Sequence, residues 1–118
     1  RRQSQDRVLR ADILELTDGK KLWMNAYSRK QFAESDAEKI RVDETFLDAA
    51  GDGEFCFVEN ADVSGCVERI EEIYLYRWNR DYPADVYFPV DLSVWKCVET
   101  KEFAGSSHEK ITRERYTR

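Results

Sequence analysis

One histidine, two prolines, five glycines and three cysteines are all that this chain spends on the residues that most often hold metals, break helices or crosslink loops. A lone His108 excludes a histidine-rich two-metal centre and any acid–base pair built from two imidazoles. Metal chemistry would have to rest on carboxylates, and no metal is expected. Cys56, Cys66 and Cys97 are odd in number and widely spaced, with no C-x-x-C pair. Neither a disulfide framework nor a zinc site follows, and reduced cytoplasmic thiols are the plain expectation. No apolar run approaches the roughly 20 residues that cross a bilayer. The chain opens Arg1-Arg2-Gln3 rather than with an apolar signal core, so no membrane partner is expected.

What is present favours folding. Hydrophobic residues make up 42% and aromatics 13%, with tryptophans at 23, 78 and 95, a content that disordered segments do not carry. At 118 residues there is enough chain for one compact core and too little for two, so a single domain over residues 1–118 is expected. The net charge of −5 is uneven. Arg1, Arg2, Arg7 and Arg10 crowd the start, Lys110, Arg113, Arg115 and Arg118 crowd the end, and the middle is acidic. Were the ends to meet, the patch could hold an anionic ligand or a nucleic-acid backbone, with Tyr76, Trp78 and Tyr82 as stacking platforms. In an acidic chain, solvated faces and sheet packing are the simpler reading, and nucleic acid stands as an alternative partner.

Residues 4–16 carry Val8, Leu9, Ile13 and Leu16 at helical spacing, and Thr17-Asp18-Gly19 supplies a stop. Residues 21–27 alternate as a strand, and Ser28-Arg29-Lys30-Gln31 has the spacing of a capping box opening a short helix. Ile40 to Val42 reads as a very short strand. Asp43 then caps a helix through Phe46, Leu47 and Ala50, before Gly51-Asp52-Gly53 turns the chain. Residues 55–58 form an apolar run suited to a strand buried on both faces. Asn60 can cap a helix reaching Ile70, and residues 72–78 resume as a strand. Strands separated by helices imply crossovers and an α/β fold, a mainly parallel sheet flanked by helices. Residues 95–103 and 110–116, joined through Ala104-Gly105-Ser106-Ser107, predict a C-terminal antiparallel hairpin. Its open edge leaves backbone donors free, which allows a homodimer. Open α/β sheets commonly begin with an apolar strand, whereas this chain opens on a charged helix; a central strand ahead of Arg1 is therefore expected.

The order of elements, with FCFVEN at 55–60, EIYLYRW at 72–78, ADVYFP at 84–89 and a strand starting at Trp95, resembles the dihydrofolate reductase family over about half the chain. That resemblance implies a dihydrofolate reductase-like sheet. It also places Ser28, at the end of WMNAYS, at a helix start beside the cofactor, and sets Asp6 in the position of the acid that holds a pterin ring. Plain alternatives stand beside these roles: Ser28 as an N-cap and Asp6 as a carboxylate favouring the helix dipole. The family's late strand ends in glycines, because a Cβ would block the approach of backbone N–H groups to the cofactor pyrophosphate. Here Val58-Glu59-Asn60 occupies that place.

Glu59 would set a negative charge where a diphosphate should lie. The expectation is thus a binding or regulatory domain that has lost NADPH binding, with no cofactor and a small-molecule ligand near Met24, Asn25, Ser28, Glu59 and Asn60. A divergent NADPH-dependent reductase of a pterin-like ring, with Asp6 orienting the substrate, is the alternative. Ser107-His108 lacks an orienting third group and reads as a turn.

Overall fold

Leu22, Trp23 and Met24 form β1 (Leu22–Met24), and the alternation of their side chains decides the core around it. Leu22 and Met24 are 1% and 0% exposed while Trp23 is half-buried. This is the two-residue period of a pleated strand. The computed structural model describes residues 3–32, 38–78, 90–106 and 110–118. It divides into two compact units, Arg1–Ala61 and Asp62–Arg118.

In the first unit, β1 lies between β2 (Ile40–Val42) and β3 (Phe55–Cys56), both parallel to it. Leu22 stands opposite Ile40 and Phe55, which sets the register. Helix α1 (Arg7–Leu16) starts where the Asp6 carboxylate accepts the N–H groups of Val8 and Leu9, and it buries Leu9 and Ile13, one turn apart. Thr17 ends it, its hydroxyl donating to the Ile13 carbonyl. Gly19 then turns the chain at φ +78°, a conformation that side-chain-bearing residues resist. Helix α2 (Ala26–Arg29) runs into a 3-10 turn, Lys30–Phe32, and α3 (Phe46–Ala49) follows β2. Phe32 and Phe46 are buried, and Phe32 meets Phe57 edge to face at 5.6 Å. Each such side chain contributes about 1.5–3 kcal/mol on leaving water.

Three local expectations are corrected here. Ser28 does not cap α2; Asn25 does, and Ser28 sits inside the helix. Helix α3 is a single turn flanked by Thr45, and the Asp43 carboxylate accepts from the Thr45 N–H and hydroxyl instead of capping. The apolar run at 55–58 pairs as a strand only through Cys56, because β1 ends at Met24 and leaves no longer partner. Phe57 still donates its N–H to the Trp23 carbonyl at 2.8 Å.

The second unit is an antiparallel sheet of β4 (Glu72–Trp78), β5 (Lys96–Phe103) and β6 (Ile111–Thr117), in the order β4-β6-β5. The expected C-terminal hairpin is β5 and β6. The expected parallel crossover into β4 is not found: β4 runs antiparallel to β6, with Tyr74 opposite Arg115 and Tyr76 opposite Arg113. The segment before it is a 3-10 helix, Ser64–Arg69, rather than an α-helix capped by Asn60. Gly65 weakens an α-helix there, and none of the six residues is buried to hold one. The Arg118 guanidinium closes its end, donating to the carbonyls of Val67 and Ile70 while lying 4.4 Å above the Trp95 ring. A bulge between Cys97 and Glu99 interrupts the ladder to β6. The fold is therefore mixed α/β, with one parallel and one antiparallel sheet among the described residues in place of a single, mainly parallel one. Tyr82, the ADVYFP segment at 84–89 and the Ser107-His108 pair lie outside the described residues.

Candidate functional site at the ends of the parallel strands

In parallel α/β sheets the carboxyl ends of the strands are where ligands bind, since the loops there carry free backbone donors. Here those donors are taken by the chain itself. Asn25 follows β1 directly; its Oδ1 accepts the Ser28 N–H at 3.2 Å, and its Nδ2 donates to Asn60 Oδ1 at 2.8 Å. The Ala26 N–H, at the first position of α2, donates to Glu44 Oε2 at 2.9 Å. The Ser28 hydroxyl, 1% exposed, donates to Glu59 Oε1 at 2.8 Å. The other oxygen of the same carboxylate, Oε2, accepts the Ser4 N–H at 3.1 Å.

Four of the six residues singled out from the sequence thus meet in one place: Asn25, Ser28, Glu59 and Asn60. Two do not belong to an open site. Met24 is fully buried in the core of the first unit. Asp6 is also fully buried, and its Oδ1 accepts from the N–H groups of Val8 at 2.9 Å and Leu9 at 3.1 Å, the plain N-cap role. Two contributors carry no sequence signal. Ser4 enters through its main-chain N–H, which any residue but proline has. Glu44 enters through one carboxylate in an otherwise ordinary acidic turn. Ser4 is fully buried, its carbonyl accepts from Arg10 Nη1 at 2.9 Å, and its hydroxyl has no hydrogen-bond partner among the described residues.

The electrostatics around the site follow from donors aimed at carboxylates. The Thr45 hydroxyl, and then its N–H, hold the Asp43 carboxyl below its ordinary value. At the other end of the sheet, ahead of β3, the Gly51 N–H, and next the Trp23 indole, do the same for Glu54, with Lys21 3.7 Å away. A carboxylate that accepts from a serine hydroxyl and a main-chain N–H gives a stable tie. It does not give a nucleophile, because the Ser28 proton points at an acid with no imidazole among the described residues. No group of three or more His, Cys, Asp or Glu among the described residues is placed to hold a metal ion.

At the opposite end of the sheet, Asp18, Gly19, Lys20, Lys21, Glu38 and Lys39 line an open depression of about 390 Å³. Two of its cations are engaged, Lys39 on the Leu14 carbonyl at 2.6 Å and Lys21 on Glu54. The basic C-terminal side chains are engaged as well: Arg113 with Glu99 at 3.4 Å, Arg115 with Glu72 at 2.5 Å and Lys110 with Glu102 at 3.2 Å. No helix among the described residues is long and apolar enough to cross a membrane. No protein-family model matches this chain, and neither does any of the curated proteins.

Proposed function

We propose that this chain is a binding or regulatory domain on a dihydrofolate reductase-like scaffold, one that has given up ordinary NADPH binding. One observation carries the reading: the Glu59 carboxylate occupies both the Ser28 hydroxyl and the Ser4 N–H. A phosphate would need donors of that kind, and it would have to displace an acid to reach them. At about 4 Å two like charges repel by about 4 kcal/mol at the effective dielectric of a protein surface, and a diphosphate carries more than one. Glu44 on the Ala26 N–H and Asn25 on the Ser28 N–H leave little backbone for an anion to bind. Asp6 supports the same reading, because a buried carboxylate spent on capping α1 is poorly placed to orient a substrate ring. The ligand this mouth favours is a small molecule without phosphate, neutral or cationic, that can use the remaining lone pairs of Glu59 and the exposed amide of Asn60.

The test is a titration of the purified chain with NADPH, followed by tryptophan fluorescence. A flat trace is expected. Saturable quenching in the micromolar range, lost in Ser28→Ala, would return the protein to the nucleotide-dependent reductases.

A further inference from the structure

Four cations of the second unit are each paired with a glutamate: Arg77 with Glu114, Lys110 with Glu102, Arg113 with Glu99 and Arg115 with Glu72. Arg118 is held differently. Its Nε donates to the Ile70 carbonyl at 3.2 Å, its Nη2 donates to the Val67 carbonyl, and its guanidinium carbon lies 4.4 Å from the centre of the Trp95 ring. No carboxylate among the described residues pairs with it. Val67 and the cap residue Ile70 stand at the C-terminal end of the 3-10 helix Ser64–Arg69, where carbonyls lack acceptable partners within the helix. Trp95 contributes its ring face alone: it is 7% exposed, and its buried indole N–H has no hydrogen-bond partner among the described residues. Two carbonyl dipoles and an aromatic face thus make a seat that takes a cation without an acid. A guanidinium suits it, because its planar fork of donors reaches both carbonyls while its plane stacks on the ring.

We propose that this seat is a binding site for an arginine side chain of a basic peptide, and that Arg118 is its resident placeholder. Arg118 can be exchanged. It stands one residue past β6, which ends at Thr117, so its main chain is in no ladder, and the residue is exposed. Releasing it gives up only the contacts of its head group, and an incoming guanidinium restores them. The surroundings select a basic partner. The exposed acids Glu68 and Glu71 directly follow Val67 and Ile70, against one exposed base, Arg69, and the whole chain carries −5. A lysine fills the seat less well, since an ammonium cannot lie flat on the ring while serving both carbonyls. The seat shares no residue with the Glu59 cluster. A tethered side chain competes at an effective concentration on the millimolar scale, so Arg118 keeps the site weak towards partners until it swings out.

Titration of Arg118→Ala with the peptide acetyl-Gly-Arg-Gly-amide, followed by the indole N–H resonance of Trp95, tests this. That resonance is identified by its loss in Trp95→Phe. Saturable movement is expected in Arg118→Ala, with binding to the wild-type chain weaker by about tenfold. The citrulline counterpart of the peptide, which keeps the shape of the side chain and lacks its charge, leaves the resonance in place. An Arg118→Ala chain whose Trp95 signal ignores the arginine peptide overturns the proposal. So does equal binding of the citrulline peptide, or wild-type binding as tight as that of the variant, since Arg118 would then not hold the same seat. Should Arg118→Ala fail to fold, the wild-type chain decides alone. The arginine peptide then has to move the Nε–H signal of Arg118 towards its solvent-exposed position, and a signal that stays where it is overturns the proposal.

Discussion

Ser28 and Glu59, 31 residues apart, are joined by a 2.8 Å hydrogen bond from hydroxyl to carboxylate, and the same carboxylate holds the Ser4 N–H. One acidic side chain therefore buckles three segments together: the 3-10 turn Gln3–Gln5 ahead of α1, the helix after β1 and the chain leaving β3. The polar groups beneath it are almost wholly screened from water, since Ser4 and Ser28 are 0% and 1% exposed. A bond in such a place is worth more than its surface counterpart, because its loss leaves buried donors unsatisfied.

Glu59→Ala is expected to lower the unfolding free energy by about 2–3 kcal/mol, the usual range for hydrogen bonds to a charged acceptor with some relief from water entry. Ser28→Ala should cost about 1 kcal/mol, and the double variant should fall short of the sum by about 1 kcal/mol. Urea unfolding of the four proteins of this cycle measures all three quantities. Strict additivity would mean that the bond does not hold the two segments.

Glu59→Gly removes the charge and leaves the Ser28 hydroxyl and the Ser4 N–H without an acceptor. Inorganic phosphate is then expected to raise the melting temperature of this variant and to leave the wild type unchanged. At five times its dissociation constant the anion would contribute about 1 kcal/mol. Melts in phosphate against chloride at matched ionic strength make the comparison.

Glu54 links acidity to an optical signal, because its Oε1 accepts the Trp23 indole N–H at 3.0 Å and the Gly51 N–H at 2.7 Å. These two donors, Gly51 first, hold its carboxyl below the ordinary 4.5. A depressed acid gives stability that is present above its unfolded value and lost as pH falls through the lower folded one. Unfolding midpoints are thus expected to drop as pH falls below 4.5, with a tryptophan fluorescence change in the same window. In Glu54→Gln the drop should be shallower and the fluorescence change should vanish.

Much of the first unit could be read from the chain. Leu22 and Met24 alternate with Trp23 and Ile40 and Val42 flank Arg41, local signals that are found, although β1 stops at Met24 rather than Tyr27 and Asp6 caps α1 from outside rather than lying in its first turn. Asn25, Ser28, Glu59 and Asn60 fall together through the family resemblance, as residues near a ligand; that Asn25 bonds Asn60 and Ser28 bonds Glu59 carries no local signal. Less legible was anything set by distant partners. Nothing in EIYLYRW says whether β4 will lie parallel or antiparallel to its neighbour, and the choice is made by β6, with Ile73 opposite Tyr116. The segment with Val63 and Val67 at helical spacing looked like an α-helix, but it buries no side chain between Ser64 and Arg69 to stabilise one. Ser4 could not be foreseen at all, since it contributes a main-chain N–H.

The bulge in β5 has a consequence for how this hairpin tolerates changes in length. Cys97 stands opposite Tyr116 and Glu99 opposite Arg115, so Val98 is the one residue of the strand that has no counterpart on β6. Excising it would remove the bulge and keep every remaining cross-strand partner where it is, whereas removing a residue from the regular ladder beyond the bulge would leave the extra residue to be absorbed at a new place. Within the β5 ladder, the bulge is accordingly where one residue can be lost without disturbing the partners on either side.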